Sequence, residues 1–199
     1  MIRLPLRPWP GPALRPWLRV LACAAACLCV LLSARPAGAA TDEDEVKMGF
    51  LYNFTKFVEW PREAFANDQS PIVIGIAGDD ATAASFAEAL AHKTSGGRAI
   101  VVRRVAEAGD LPHCHILFLR AGSRRNIADV ADELAGRPVL LVGECEHFLA
   151  GGGMLNFVLR SERVRFEVNL DAAQKAKLKL SSKLVQIASV AADTRREGR

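Results

Sequence analysis

The chain has 199 residues, half of them hydrophobic, and a formal charge of +4. The positive balance is local: five arginines and no acid fall in residues 1–40, so the other 159 residues sum to −1. Nucleic-acid binding, which normally shows as a basic patch or stripe on the folded domain, loses its support on that balance, and 159 residues suit one domain with one core.

Arg3, Arg7, Arg15 and Arg19 form a basic lead, 20–32 is an unbroken apolar run, and Ala37-Gly38-Ala39 supplies the small residues a signal peptidase needs. This order predicts a secretory signal over 1–40, cleaved near Ala39 or Ala40. The apolar core is too short to span a bilayer of about 30 Å comfortably. Cys23, Cys27 and Cys29 lie inside that core rather than at its end, which sets aside a lipoprotein anchor. The mature chain is expected to be soluble in the periplasm, as a domain over 41–192 with a polar tail over 193–199. Cys114 and Cys145 then remain in an oxidising compartment. They are expected at opposite ends of adjacent parallel strands, too far apart for a bridge, which needs Cα atoms within about 7 Å.

Residues 42–59 read as an amphipathic helix. Thr41 or Asp42 can cap it, acids fill its first turn, and Val46, Phe50, Phe54 and Phe57 recur at helical spacing, with Leu51 and Val58 widening the face. Trp60-Pro61 stops it. Residues 71–77 are nearly all apolar, as in a strand buried on both faces. Gly78-Asp79-Asp80 turns the chain into an alanine-rich helix over 81–91. Strands at 99–102 and 116–119, a helix at 123–134 and a strand at 139–142 continue the alternation. Runs at 154–159 and 164–168, separated only by Arg160-Ser161-Glu162-Arg163, predict a hairpin, and residues from 170 return to helix, with Ser181 or Ser182 capping 184–190. The pattern is that of a single α/β domain: a mostly parallel sheet flanked by helices, with an antiparallel hairpin near the C-terminus.

The chain carries no phosphate loop, nucleophile elbow, His-Glu-x-x-His or Cys-x-x-Cys signature. The turn after the first long strand lacks the third glycine of a dinucleotide site and is acidic, which repels pyrophosphate. His113-Cys114-His115 contains good metal-ligand types, but strand alternation splits them between two faces, and the simpler reading is strand-end polarity. Gly151-Gly152-Gly153 is either an anion nest or a sharp turn into the next strand. Asn53 and Asn156 are polar residues in apolar surroundings that either satisfy buried backbone groups or reach a ligand, with Gly152, Gly153 and Asn156 as the ligand-binding candidates. Arg165 and Glu167 are two apart on one strand face and are expected to pair. Tyr52 lies off the main stripe of the first helix. With Trp60, Met154 and Phe157 it is a candidate for an exposed partner-binding patch. No catalytic residue, metal or cofactor is expected.

The segment Phe50-Leu51-Tyr52-Asn53-Phe54-Thr55-Lys56-Phe57-Val58-Glu59-Trp60-Pro61 resembles the opening helix of YfiR-like periplasmic proteins. Gly152-Gly153-Met154-Leu155-Asn156-Phe157, Val164-Arg165-Phe166-Glu167-Val168-Asn169-Leu170 and the closing 180–184 run, Leu-Ser-Ser-Lys-Leu, match further motifs of that family in the right order. The resemblance implies a small, non-enzymatic α/β protein, often a homodimer. It also implies a repressor that binds the periplasmic domain of an inner-membrane diguanylate cyclase, lowers cyclic di-GMP and biofilm formation, and can be sequestered by an outer-membrane lipoprotein. The alternative is a periplasmic small-molecule sensor or solute-binding domain that feeds a sensor kinase or transporter, with its ligand at the carboxyl ends of the strands.

Overall fold

The computed structural model describes residues 42–105, 111, 113–123 and 125–193, with side chains as far as residue 188. The predicted signal over 1–40, the capping candidate Thr41 and the tail beyond Asp193 lie outside the described residues.

The first helix, α1, spans Asp42–Phe57 and passes into a two-residue strand, β1 (Val58–Glu59). A 3-10 turn over Arg62–Ala64 leads to β2 (Ile72–Ala77), α2 (Asp80–Leu90), β3 (Thr94–Ser95), β4 (Arg98–Val105) and β5 (Ile116–Leu119). Then come α3 (Ile127–Glu133), β6 (Leu140–Gly143), β7 (Leu155–Arg160), β8 (Arg163–Val168), α4 (Leu170–Lys175), β9 (Lys179–Leu180) and α5 (Ser182–Asp193).

Seven strands form one mixed sheet in the order β3-β4-β2-β5-β6-β7-β8. The pairs β4–β2, β2–β5, β5–β6 and β6–β7 are parallel, while β3–β4 and β7–β8 are antiparallel. Every residue of β2, β5 and β6 is buried, which explains why these strands read as continuous apolar runs rather than alternating ones. The predicted hairpin is present. Its turn is two residues, Ser161 and Glu162, both in the left-handed region at φ 47° and 58°, the geometry whose twist suits paired strands.

Four features depart from the sequence expectation. In α1 the buried side chains are Asp44, Lys47, Leu51, Phe54 and Thr55, and Val46 is 46 % exposed, so the inward stripe is polar over its first half. Val58 does face the core, but as part of β1, which pairs antiparallel with β9 through Val58↔Leu180 and Glu59↔Lys179. The predicted helix over 123–134 begins only at Ile127, because Asn126 accepts the Ala128 N–H and starts it there. The return to helix from 170 is made as α4 and α5, with the unforeseen strand β9 between them. Lys177 at φ 59° ends α4, and Ser181, not Ser182, caps α5 by accepting the Leu184 N–H at 3.2 Å. Cys114 precedes β5 and Cys145 follows β6, at opposite ends of paired parallel strands, and both are free.

Candidate functional site

Chain order reverses beside β2: β4 lies on one side of it and β5 on the other. In open parallel sheets, the crevice outside the carboxyl ends of such strands is where ligands and functional groups collect. Here it holds an ion cluster. Arg120, the first residue after β5, lies across Gly78, where a Cβ would come within 3.2 Å of its side chain. Its guanidinium reaches Asp44 of α1 at 3.0 Å, Glu144 after β6 at 3.3 Å and Asp79 after β2 at 3.6 Å, and it donates to the Thr82 hydroxyl. Glu144 also accepts the Ala121 N–H at 2.7 Å and the Lys47 ammonium, and Lys47 in turn holds Glu43 at 2.6 Å. A cleft of about 320 Å³ opens beside the cluster, walled on its apolar side by Phe157, Val158, Leu159 and Val164.

The electrostatics favour a lock. Burial alone would pull the Lys47 ammonium down, but hydrogen bonds to Glu144 and Glu43 and their negative charge hold it above its ordinary value. The Asp79 carboxyl is held below the usual range, first by the Thr82 N–H that it caps and then by the Thr82 hydroxyl and Arg120, against an opposing effect of burial. Each carboxylate is thus engaged by a cation or an N–H, and the arrangement ties the N-terminal half of α1 to the ends of three strands. Sequence reasoning missed this cluster because its members come from four distant segments. One signal was present: a charged residue follows each central apolar run, Asp79 and Glu144 after one intervening glycine and Arg120 directly.

At the centre of the fold, α1 meets the hairpin. Phe50 and Phe54 of α1, Phe157 of β7 and Phe166 of β8 pack with ring centroids 5.2–6.2 Å apart, in stacked, tilted and edge-on pairs. The run 180–184 joins the same assembly: Leu180 pairs with Val58, and the Ser181 N–H donates to the Phe57 carbonyl at 2.9 Å. Asn169 closes the hairpin, capping α4 through the Ala172 N–H and donating to the Leu149 carbonyl. The four motifs are therefore neighbours in space. Residues 44–189 match the family model described as YfiR/HmsC-like.

The chain belongs to the YfiR/HmsC-like family. Members of this family are periplasmic signalling proteins with a regulatory role. Among the described residues, no helix is long and apolar enough to cross a membrane.

In this YfiR/HmsC-like chain the predicted patch residues are not brought together. Met154 and Phe157 are 7 % and 3 % exposed, so both lie beneath the surface, and the expected exposed patch is corrected accordingly. Tyr52 is half-buried, donates to the Thr94 carbonyl at 3.3 Å and carries the Lys56 ammonium 4.0 Å above its ring. Trp60, also half-buried, donates to the His115 carbonyl at 3.1 Å, next to the entrance of β5. Asn53 is exposed rather than set among apolar groups. Glu167 pairs with Arg160 at 2.9 Å rather than with Arg165.

The glycine run is a turn. The N–H groups of Gly151, Gly152 and Gly153 donate to the carbonyls of His147, Leu149 and Phe148, so they are not gathered on an anion. The run also makes room for the Phe148 ring: a Cβ on Gly153 or on Gly143 would lie 2.2 Å from it. Asn156 is buried, and its Oδ1 has no hydrogen-bond partner within the protein. Leaving such a group unmet costs about 1–3 kcal/mol.

His113 is exposed and His115 buried, so the two do not share a site. His115 Nδ1 accepts the Val73 N–H at 3.0 Å, which places the neutral ring's proton on Nε2. Phe65 stacks on the ring at 4.5 Å, Trp60 meets it edge-on, and Arg98 lies 3.9 Å over the Phe65 ring. Burial, helped by the Arg98 charge and opposed by the Ala64 backbone, pushes the imidazole below its ordinary value.

Proposed function

We propose that this protein is a non-enzymatic repressor that binds the periplasmic domain of an inner-membrane diguanylate cyclase, holds it inactive, and so lowers cyclic di-GMP and biofilm formation. The observation that carries the reading is the family match over residues 44–189, which spans every motif and both halves of the sheet. The mechanism is a population shift: the repressor biases the cyclase only as far as it binds the inactive arrangement more tightly than the active one. Export through the signal over 1–40, homodimer formation and sequestration by an outer-membrane lipoprotein belong to the same proposal.

Tyr52 and Trp60 remain candidate contacts, whereas Met154 and Phe157 support the surface from below. Leu159, 60 % exposed on the wall of the 320 Å³ cleft, joins them as an apolar contact beside the ion cluster. Deleting the gene should raise cellular cyclic di-GMP, and the wild-type copy should restore it. Leu159→Asp should fold, reach wild-type abundance and fail to restore repression. Unchanged cyclic di-GMP on deletion would end the repressor reading, while full complementation by Leu159→Asp would remove only the contact assignment.

A further inference from the structure

Charge is distributed unevenly along α1. Its first turn holds Asp42, Glu43, Asp44 and Glu45, and its last turn holds Lys56. The 16 residues of the helix set these ends about 24 Å apart. Lys56 belongs to a face of lysines and aromatic rings. Its ammonium stands 4.0 Å over the Tyr52 ring, and the Lys183 ammonium, from the first turn of α5, stands 5.4 Å over Phe57. Lys179 of β9 is brought beside them, because Leu180 pairs with Val58 and the Ser181 N–H donates to the Phe57 carbonyl. Lys93 adjoins Thr94, whose carbonyl accepts the Tyr52 hydroxyl. All four lysines are exposed, and none is ion-paired among the described residues, unlike Lys47 in the first half of the helix. Glu59, opposite Lys179 in the β1–β9 register, is the acid that the strand pairing sets among them.

The residues after position 40 sum to −1, so this face is a local concentration of charge and not a share of a general excess. A lysine over a ring rests its stem on apolar surface and keeps its ammonium toward water. Ile187, one turn beyond Lys183 on α5 and 44 % exposed, extends the apolar layer. Charge therefore stands outermost, with apolar groups directly beneath it. The four lysines come from separate segments, so they match a sheet of anionic groups and not a single anion. An anionic bilayer has that profile, with phosphates at the level of the ammoniums and an interfacial layer below that favours aromatic rings. An acidic protein would meet the ammoniums but leave Ile187 and the rings unmatched.

We propose that this face docks the protein on an anionic phospholipid surface, with Lys56, Lys93, Lys179 and Lys183 at the phosphates and Tyr52, Phe57 and Ile187 at the headgroup boundary. The acidic first turn of α1, at the far end of the helix, is repelled by the same surface and sets the orientation. The inference goes beyond cyclase repression and does not depend on it, because docking is read with purified protein and lipid alone.

Vesicle co-sedimentation tests this on protein expressed from the full chain and purified from the periplasm. Phosphatidylcholine vesicles containing roughly one-third phosphatidylglycerol should carry the protein down, and phosphatidylcholine alone should bind it about tenfold more weakly. Salt at about 1 M, where the Debye length is about 3 Å, should release it. Lys56→Gln combined with Lys183→Gln should weaken binding to the anionic vesicles about tenfold. Should that protein fail to fold, Lys93→Gln combined with Lys179→Gln carries the same expectation. Arg165→Gln should bind like the wild type, because Arg165 is exposed and alternates with Phe166, which faces α1. No sedimentation with anionic vesicles, equal binding to both lipids, full binding by whichever double variant folds, or the same loss in Arg165→Gln would overturn the proposal. Capture on polyglutamate without any on the vesicles would also overturn it, and would assign the face to an acidic protein.

Discussion

Gly153 and Gly97 show how two glycines can matter for different reasons. A Cβ on Gly153 would lie 2.2 Å from the Phe148 ring and 2.8 Å from the Phe148 carbonyl oxygen, so either a buried aromatic or the backbone must move. Gly97 has open space around it but sits at φ 78°, where the cost is backbone strain alone. Gly153→Ala should therefore lose about 3 kcal/mol, the upper end of overpacking penalties. Gly97→Ala should lose about 1–2 kcal/mol. Urea denaturation orders the two, and the reverse order would show that Phe148 can swing away. The cysteines obey the same local logic. Burial pushes the Cys114 thiol up to about 11, so it has little thiolate at neutral pH, whereas Cys145 is only half-buried. Peptide mapping after iodoacetamide treatment of the native protein should find Cys145 alkylated and Cys114 intact. Equal labelling would mean that the entrance of β5 opens readily.

At the scale of elements, α1 is held by two unlike devices. Its second half is anchored by the phenylalanine cluster, and its first half by the Arg120–Glu144–Lys47 ion cluster. Arg120→Met removes the cation that Asp44, Asp79 and Glu144 share, and removing one partner from a buried charge set costs about 3–5 kcal/mol. Lys47→Met should cost less, about 1–3 kcal/mol, because Glu144 keeps Arg120 and the Ala121 N–H. Hydrogen exchange on Arg120→Met should accelerate over 44–48 and leave 54–57 protected; uniform acceleration along α1 would refute the division. This division also explains what was legible beforehand. Periodicity identified α1, the buried strands and the hairpin, because apolar patterning records burial. It misassigned Val46 to the core face because polar Asp44 and Lys47 hold the inward positions there. The two-residue strands β3 and β9 were invisible, since their pairing depends on backbone geometry rather than on a side-chain pattern. The Arg120 cluster needed the strand order, which no local window contains.

Four groups with shifted values, Lys47, Asp79, His115 and Cys114, shape the pH response, and their signs differ. Lys47 has a folded value raised above its ordinary one, so its contribution is complete below about pH 10.4 and is lost as pH rises through the folded value. Asp79 has a lowered value, so its contribution is complete above about pH 3.9 and fades as pH falls through the folded value. His115 is also lowered but is a base: the unfolded chain takes up a proton near pH 6.5 before the folded ring does, so stability falls as pH drops below that point. With the raised Cys114 thiol, whose proton the unfolded chain gives up first above about pH 8.5, they predict a plateau from roughly pH 6.5 to roughly pH 8.5, with the acid side failing first through His115. The packing around His115 gives the reason, because protonating the ring would bury a cation that the Arg98 charge opposes and make a donor of the Nδ1 that accepts the Val73 N–H. His115→Gln should lower stability at neutral pH by about 1–3 kcal/mol, since a packed ring is lost, yet flatten the limb between pH 6.5 and pH 4.5. Urea midpoints across that range decide the matter: a substituted protein with the wild-type acid slope would place the sensitive proton on another group.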